Sequence, residues 1–431
     1  MLLLKEIQAC LEAVLKQLFR SRPQTRPFRD SRDFSMRLFL SRQRQCRNDN
    51  ISEKGKKKDR EKHLKIENLG YGQTLTATRK RFILLLVLIL AGFCNESSTA
   101  EIPQWMANQI NADLAPFRNK PISFRNMLDF YHSDSPYPIL IKATIINNQL
   151  FIETKENYNG NIRVEAFEQS LQKICNMGPL PDVVLLISQE DGFFWDYSQG
   201  EVPIFAQSKE KGACALLLPD FEALRSAYQV LKGTDITSYT PKWQGKKSQL
   251  IWRGSTAQLG WRIPLILENL SYFSRVSLCH LSEQYPALIN AKFTIFAQGA
   301  EFIPSLQDFK GDWISYKKQV EYKYHILIDG NVSSYTCSGW RFFINSLIFK
   351  PESQWIQWYY DALQPYVHYV PVEANLADLP QKIQWAIHHD KDAKMIAGNA
   401  REFALTHLTL PTSLLYLYYL IWEYSKLNFV D

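Results

Sequence analysis

From residue 102 the apolar positions of the chain alternate between two rhythms. Over 102–130 they recur at three- and four-residue steps, which predicts an amphipathic helix. Over 139–146 and 149–154 they recur at every second position, and Asn147-Asn148 between the two stretches is a hairpin signal. Residues 161–175 read as a strand followed by a helix. Val183-Val184-Leu185-Leu186-Ile187-Ser188 is a short, unbroken apolar run rich in β-branched residues. A strand covered on both faces of a parallel sheet has that pattern. A helix is expected at 221–230.

The second half repeats the scheme. Strands are predicted at 249–254, 324–330, 347–350 and 368–372, and helices at 263–270, 376–389 and 393–407. Strands alternating with helices imply an α/β protein with helix-covered sheets. Two such halves imply a cleft, with ligands at the carboxyl ends of the strands. The boundary is expected near Trp243, giving units at 101–240 and 241–431.

The first hundred residues break the pattern. Residues 1–82 hold 21 Lys and Arg against 9 Asp and Glu, while the whole chain of 431 residues carries a formal charge of only +7. The remainder is therefore net acidic, and the sequence as a whole does not read as nucleic-acid binding. Residues 1–78, with their Lys54–Lys62 charge block, predict a basic tail of low order. Arg79-Lys80-Arg81 then precedes an apolar run at 82–93 and small residues at Ser98 and Ala100. That is the layout of an export signal, and the run is short of the roughly 20 residues of a transmembrane helix. Residues 79–100 are read as a signal peptide or an uncleaved signal-anchor, with membrane association through 82–93. Of seven cysteines, only 175, 214, 279 and 337 follow Ala100, at spacings that make no zinc site. They read as buried thiols or as two disulfides of unknown connectivity.

No G-x-G-x-x-G, Walker, H-E-x-x-H or G-x-S-x-G motif is present in the body, which removes the simplest dinucleotide, P-loop, zincin and hydrolase readings. No D-x-D triplet and no His or carboxylate cluster suited to a divalent ion is recognised in the body either. Four segments remain. Trp252-Arg253-Gly254-Ser255 ends a predicted strand, with Arg262 beyond it, and a glycine turn with a guanidinium and hydroxyls suits a phosphate. A structural turn with a surface ion pair would look the same. Asp329-Gly330-Asn331-Val332-Ser333-Ser334 ends another strand and reads as a phosphate or ribose cradle or as an ordinary turn. Arg341 follows, facing the same cleft or capping a helix. Asp191 stands just past the 183–188 strand, where a carboxylate serves as a general base or simply makes a turn before Gly192. Asp182 lies at the opposite end of that strand. The aromatics of 355–372 read as a stacking platform or, more simply, as core.

Taken in order, these segments resemble the family-90 glycosyltransferases. The resemblance rests on Pro181-Asp182 running through Ser188 to Asp191, Pro203-Ile204-Phe205, Trp252-Arg253-Gly254-Ser255, and Lys323-Tyr324 leading to Asp329-Gly330. Asn345-Ser346-Leu347-Ile348-Phe349-Lys350, Pro365-Tyr366-Val367-His368-Tyr369-Val370-Pro371-Val372, Asp378-Leu379 and Ile396-Ala397 through Arg401 to Phe403 extend it over about 105–425.

The resemblance implies a GT-B-like fold of two Rossmann-like domains facing a cleft. It implies inverting transfer of a glucose- or xylose-type sugar from a UDP-sugar, without metal or other cofactor. Asp191 matches the family's base. Arg253, Gly254 and Ser255 match its donor-binding turn, and Gly330 to Ser334 its diphosphate loop. Two departures, Tyr335-Thr336-Cys337-Ser338-Gly339 where eukaryotic members carry a basic residue and Gly192 where the protein glucosyltransferases carry proline, point to the bacterial lipopolysaccharide-type subgroup. A glycan or lipid-linked glycan acceptor at the cell envelope is therefore expected. The alternatives are a protein acceptor in a secretory lumen, or a non-catalytic sugar-binding protein of the same fold.

Overall fold

The computed structural model describes residues 102–134, 138–155, 161–194, 200–226, 228, 230–231, 234–257, 273–335 and 339–431. The basic tail, the 79–100 segment, Arg262, the helix expected at 263–270 and Cys337 lie outside the described residues. Among the described residues no helix is long and apolar enough to cross a membrane. Cys175, Cys214 and Cys279 are free thiols.

The helix expected at 102–130 is two helices, α1 (Gln104–Arg118) and α2 (Phe124–His132). Pro121 separates them: it disfavours helical backbone at Lys120 and has no N–H to give. Ser123 restarts the helix as its cap, its Oγ accepting the Asn126 N–H at 3.0 Å. Strands β1 (Leu140–Ile146) and β2 (Gln149–Thr154) pair antiparallel. Their turn uses Asn147 and Asn148 at φ 51° and 62°, the left-handed pair that a two-residue type I′ hairpin requires.

Helix α3 (Ile162–Met177) is capped by Asn161, whose side chain accepts the Arg163 N–H, so 161–175 is helical where a strand and then a helix were expected. Strand β3 (Val183–Ser188) lies mid-sheet, antiparallel to β1 and parallel to β4 (Ile204–Ala206), which pairs with β5 (Leu216–Leu217). The order is β2-β1-β3-β4-β5. This sheet is mixed rather than wholly parallel, because the tight Asn-Asn turn can only join antiparallel strands. Helix α4 (Phe221–Ser226) follows it and is shorter than expected.

The second sheet is parallel throughout. It comprises β6 (Lys247–Ser255), β7 (Ile289–Ile295), β8 (Tyr322–Ile326), β9 (Leu347–Pro351) and β10 (Val370–Val372), ordered β7-β6-β8-β9-β10. Helix α5 (Ser274–Gln284) packs on β7. In chain order this is 2-1-3-4-5, so the winding reverses between β6 and β8. A crevice opens at the carboxyl ends of those two strands.

Helices α6 (Leu379–His388) and α7 (Asp390–His407) follow, and then α8 (Leu410–Tyr424) crosses back to pack on α1, α3 and α4. Tyr416 and Tyr424 donate to the carbonyls of Leu217 and Val184 at 3.2 and 2.9 Å. Phe429–Val430 then pairs with Ile122–Ser123. The expected 241–431 unit thus lends its last helix and strand to the packing of the first half. Both sheets belong to one compact unit.

Candidate active site

The end of β6 is shaped by a tryptophan. The Trp252 ring is buried edge-on to Phe293, and a Cβ on Gly254 would lie 2.3 Å from Trp252 Cζ2. Only glycine fits there, and its bare backbone faces the crevice. Beyond the end of β8, residues 327–329 run on to Gly330. A Cβ on Gly330 would lie 2.7 Å from an Nη of Arg275.

Arg275, the second residue of α5, is 7 % exposed. Its Nε–H donates to Asp329 O at 2.7 Å, and its Nη groups donate to Ser255 O at 3.0 Å and Ser334 Oγ at 3.0 Å. One guanidinium therefore stitches the ends of both switch-point strands to the loop between Gly330 and Ser334. Nothing in the local spacing of Arg275 marks it, because its partners lie 20 to 59 residues away in sequence.

The opposite wall comes from the first sheet. The chain leaves β3 at Ser188 and reaches Asp191, half exposed at its side chain. Ser208 Oγ–H donates to Asp191 O at 2.9 Å, and Tyr335 Oη–H donates to Ser208 Oγ at 3.2 Å. A Cβ on Gly192 would lie 2.5 Å from the Trp355 ring and 2.6 Å from Val332, so the second lobe's loop rests directly on this backbone. Trp355–Ile356 pairs antiparallel with Lys209–Glu210, a small bridge between the lobes. Arg163 Nη2 forms an ion pair with Asp191 Oδ1. Neighbouring Glu190 is held above the usual carboxylate range by burial, which the Ile139 N–H opposes.

Between these walls lies a cavity of about 250 Å³. Asp191, Arg253, Gly254, Ser255, Gly330, Asn331, Ser333, Ser334 and Arg341 all line it, as do Arg163 and Arg275, which sequence reasoning missed. Arg341, on the buried turn Gly339–Ile344, is 3 % exposed and faces this cavity.

Three expectations change. Arg253 contributes to the wall, but its guanidinium donates to the carbonyls of Asp312, Trp252 and Asn290 and to Asn290 Oδ1 at 2.8–3.1 Å. Four of its five N–H groups are spent, so it has no fork left for a phosphate. Asp329 does not line the cavity: its carboxylate accepts from Ser353, and burial pushes its carboxyl upward against that bond. Its carbonyl, not its side chain, serves the site.

Third, Asp390-Lys391-Asp392 does have the D-x-D form, which sequence reasoning passed over. It opens α7, where Asp390 binds Trp243 Nε1 at 3.0 Å and Lys323 at 2.7 Å, and neither aspartate lines the cavity. Among the described residues no three His, Cys, Asp or Glu side chains gather as metal ligands. Of the 355–372 aromatics, Trp358 and Tyr359 are wholly buried and form core. Asp182 caps the far hairpin, accepting the Asn147 N–H at 2.7 Å.

Comparison with known proteins gives the chain its kin. It is 27 % identical over 336 residues to Protein O-glucosyltransferase 2 of Danio rerio, covering 74 % of this chain and 62 % of that one. It is 26 % identical to Protein O-glucosyltransferase 3 of Mus musculus over 67 % of this chain and 55 % of that one. It is also 26 % identical to the O-glucosyltransferase rumi of Drosophila melanogaster over 74 % and 76 %. The chain thus spans less than two thirds of the length of the first two relatives. The family model for glycosyl transferase family 90 matches residues 97–431, and the chain belongs to that family.

Proposed function

We propose that the protein is an inverting, metal-independent glycosyltransferase of GT-B-like arrangement. It would move a glucose- or xylose-type sugar from a UDP-sugar to a hydroxyl of a protein. The observation that carries this reading is the meeting of Asp191, from one sheet, with the glycine-lined crevice of the other across a single cavity. Family membership supports the reaction class. The acceptor follows the relatives, which are protein O-glucosyltransferases of animals. They give no support to the lipopolysaccharide acceptor expected from Gly192 and the 335–339 turn.

In this reading the diphosphate lies at the carboxyl ends of β6 and β8, where Gly254 and Gly330 let backbone approach it. Ser255, Asn331, Ser333 and Ser334 offer polar groups, and Arg341 and Arg275, whose own N–H groups are largely engaged by the strand ends and the loop, offer charge rather than a free fork, at the point where negative charge grows as the bond to the sugar breaks. Asp191 takes the proton of the acceptor hydroxyl. That oxygen bonds to the anomeric carbon from the face opposite the diphosphate, and UDP leaves with the electron pair of the broken bond. The cationic groups stand where a divalent ion otherwise would.

A screen of UDP-sugars against protein and glycan acceptors in EDTA, scored by UDP release, tests this. Turnover with UDP-glucose or UDP-xylose and a protein acceptor is expected. Turnover confined to lipopolysaccharide acceptors would overturn the acceptor, and dependence on added Mn²⁺ would overturn the metal-free mechanism.

A further inference from the structure

We propose that Arg163 is the positioning residue of Asp191: it fixes one carboxylate oxygen and leaves the other to accept the proton. This rests on the reading of Asp191 as base. The first turn of α3 grips the whole 189–191 loop. Asn161 caps the helix through its Oδ1 and donates from its Nδ2 to Gln189 Oε1 at 3.1 Å. Arg163 Nη1–H donates to Gln189 O at 2.5 Å while Nη2–H binds Asp191 Oδ1. The Phe221 ring lies 5.4 Å from the guanidinium carbon.

A planar guanidinium held by a carbonyl on one arm and a ring beside it has little freedom to turn. The carboxylate on its other arm therefore inherits a fixed orientation. Oδ1 is engaged, and Oδ2 is left for the acceptor hydroxyl. Lysine could supply the charge but not both bonds from one rigid plane.

Other ionisable groups surround Asp191. Glu190 precedes it in the same loop, and Tyr335 approaches through Ser208. Arg253, Arg275 and Arg341 line the same cavity from the second lobe. Arg163 donates to the carboxylate itself, so its charge acts at the shortest range.

The test is kcat and donor KM for UDP release by the full chain, comparing wild type with Arg163→Met and Arg163→Lys. Arg163→Met should lower kcat more than tenfold, with donor KM within threefold. Arg163→Lys, which keeps the charge but not both bonds, should still leave kcat at least fivefold down. A kcat of Arg163→Met within threefold of wild type, or of Arg163→Lys within twofold, would overturn the proposal. Should Arg163→Met fail to fold, the lysine variant decides alone by the same kcat criterion. Asp191→Asn runs alongside. If it stays fully active the reading of the base fails, whereas an inactive Asp191→Asn beside an unaffected Arg163→Met condemns only the role given to Arg163.

Discussion

Arg253 and Arg275 show how far residue type alone carries a site. Arg253 sits in the motif that sequence singles out, and the structure spends its guanidinium on the edge of β6 and β7. Arg275 carries no motif and reaches the switch point. Arg253→Ala should therefore act on stability rather than on the ligand. It leaves several carbonyls without their donor, at about 1–3 kcal/mol for a buried unsatisfied group, lessened here because the side chain is only half buried. A lower melting temperature with UDP affinity within threefold, by calorimetry, is expected. A tenfold loss of UDP affinity without loss of stability would return Arg253 to the donor site. The glycines were legible, since 254 and 330 stand at strand ends in the sequence. Their reason, a ring and a guanidinium pressed against the missing Cβ, depends on distant side chains and was not.

At the scale of elements, the hairpin at Asn147-Asn148 and the strand Val183–Ser188 were legible because turn chemistry and a continuous apolar run are local signals. Helix α8 was not read. Its sequence, Leu-Pro-Thr-Ser-Leu-Leu-Tyr-Leu-Tyr-Tyr-Leu-Ile-Trp-Glu-Tyr, is apolar on nearly all sides, so it has no amphipathic stripe to count. It needs none, because it packs against three helices of the first lobe. Edge strand β7 is not among the expected strands either, although its alternation is clean. A chain ending at His407 should lose the first lobe's packing, since buried Tyr416, Leu417, Leu420, Ile421 and Tyr424 go with α8. Thermal unfolding by circular dichroism should lose its cooperative transition. A transition at the wild-type midpoint would show that α8 is dispensable to the fold.

For the whole molecule, the site exists because two sheets with different connectivity are pinned face to face. The mixed sheet places Asp191 just past the carboxyl end of its central strand, and the parallel sheet places a glycine crevice at its reversal point. The Trp355–Ile356 bridge, the contact of Gly192 with Val332, and the Tyr335–Ser208 bond join them. None of these contacts is local in sequence, so two halves and a cleft could be foreseen but the clamp could not. The central claim is that this juxtaposition performs general-base sugar transfer, and Asp191→Asn tests it most directly. It keeps the side chain's shape and removes the proton acceptor. With UDP-glucose and a protein acceptor, UDP release should fall by about 10²–10⁴-fold while UDP affinity stays within threefold. Turnover within threefold of the wild type would contradict the account.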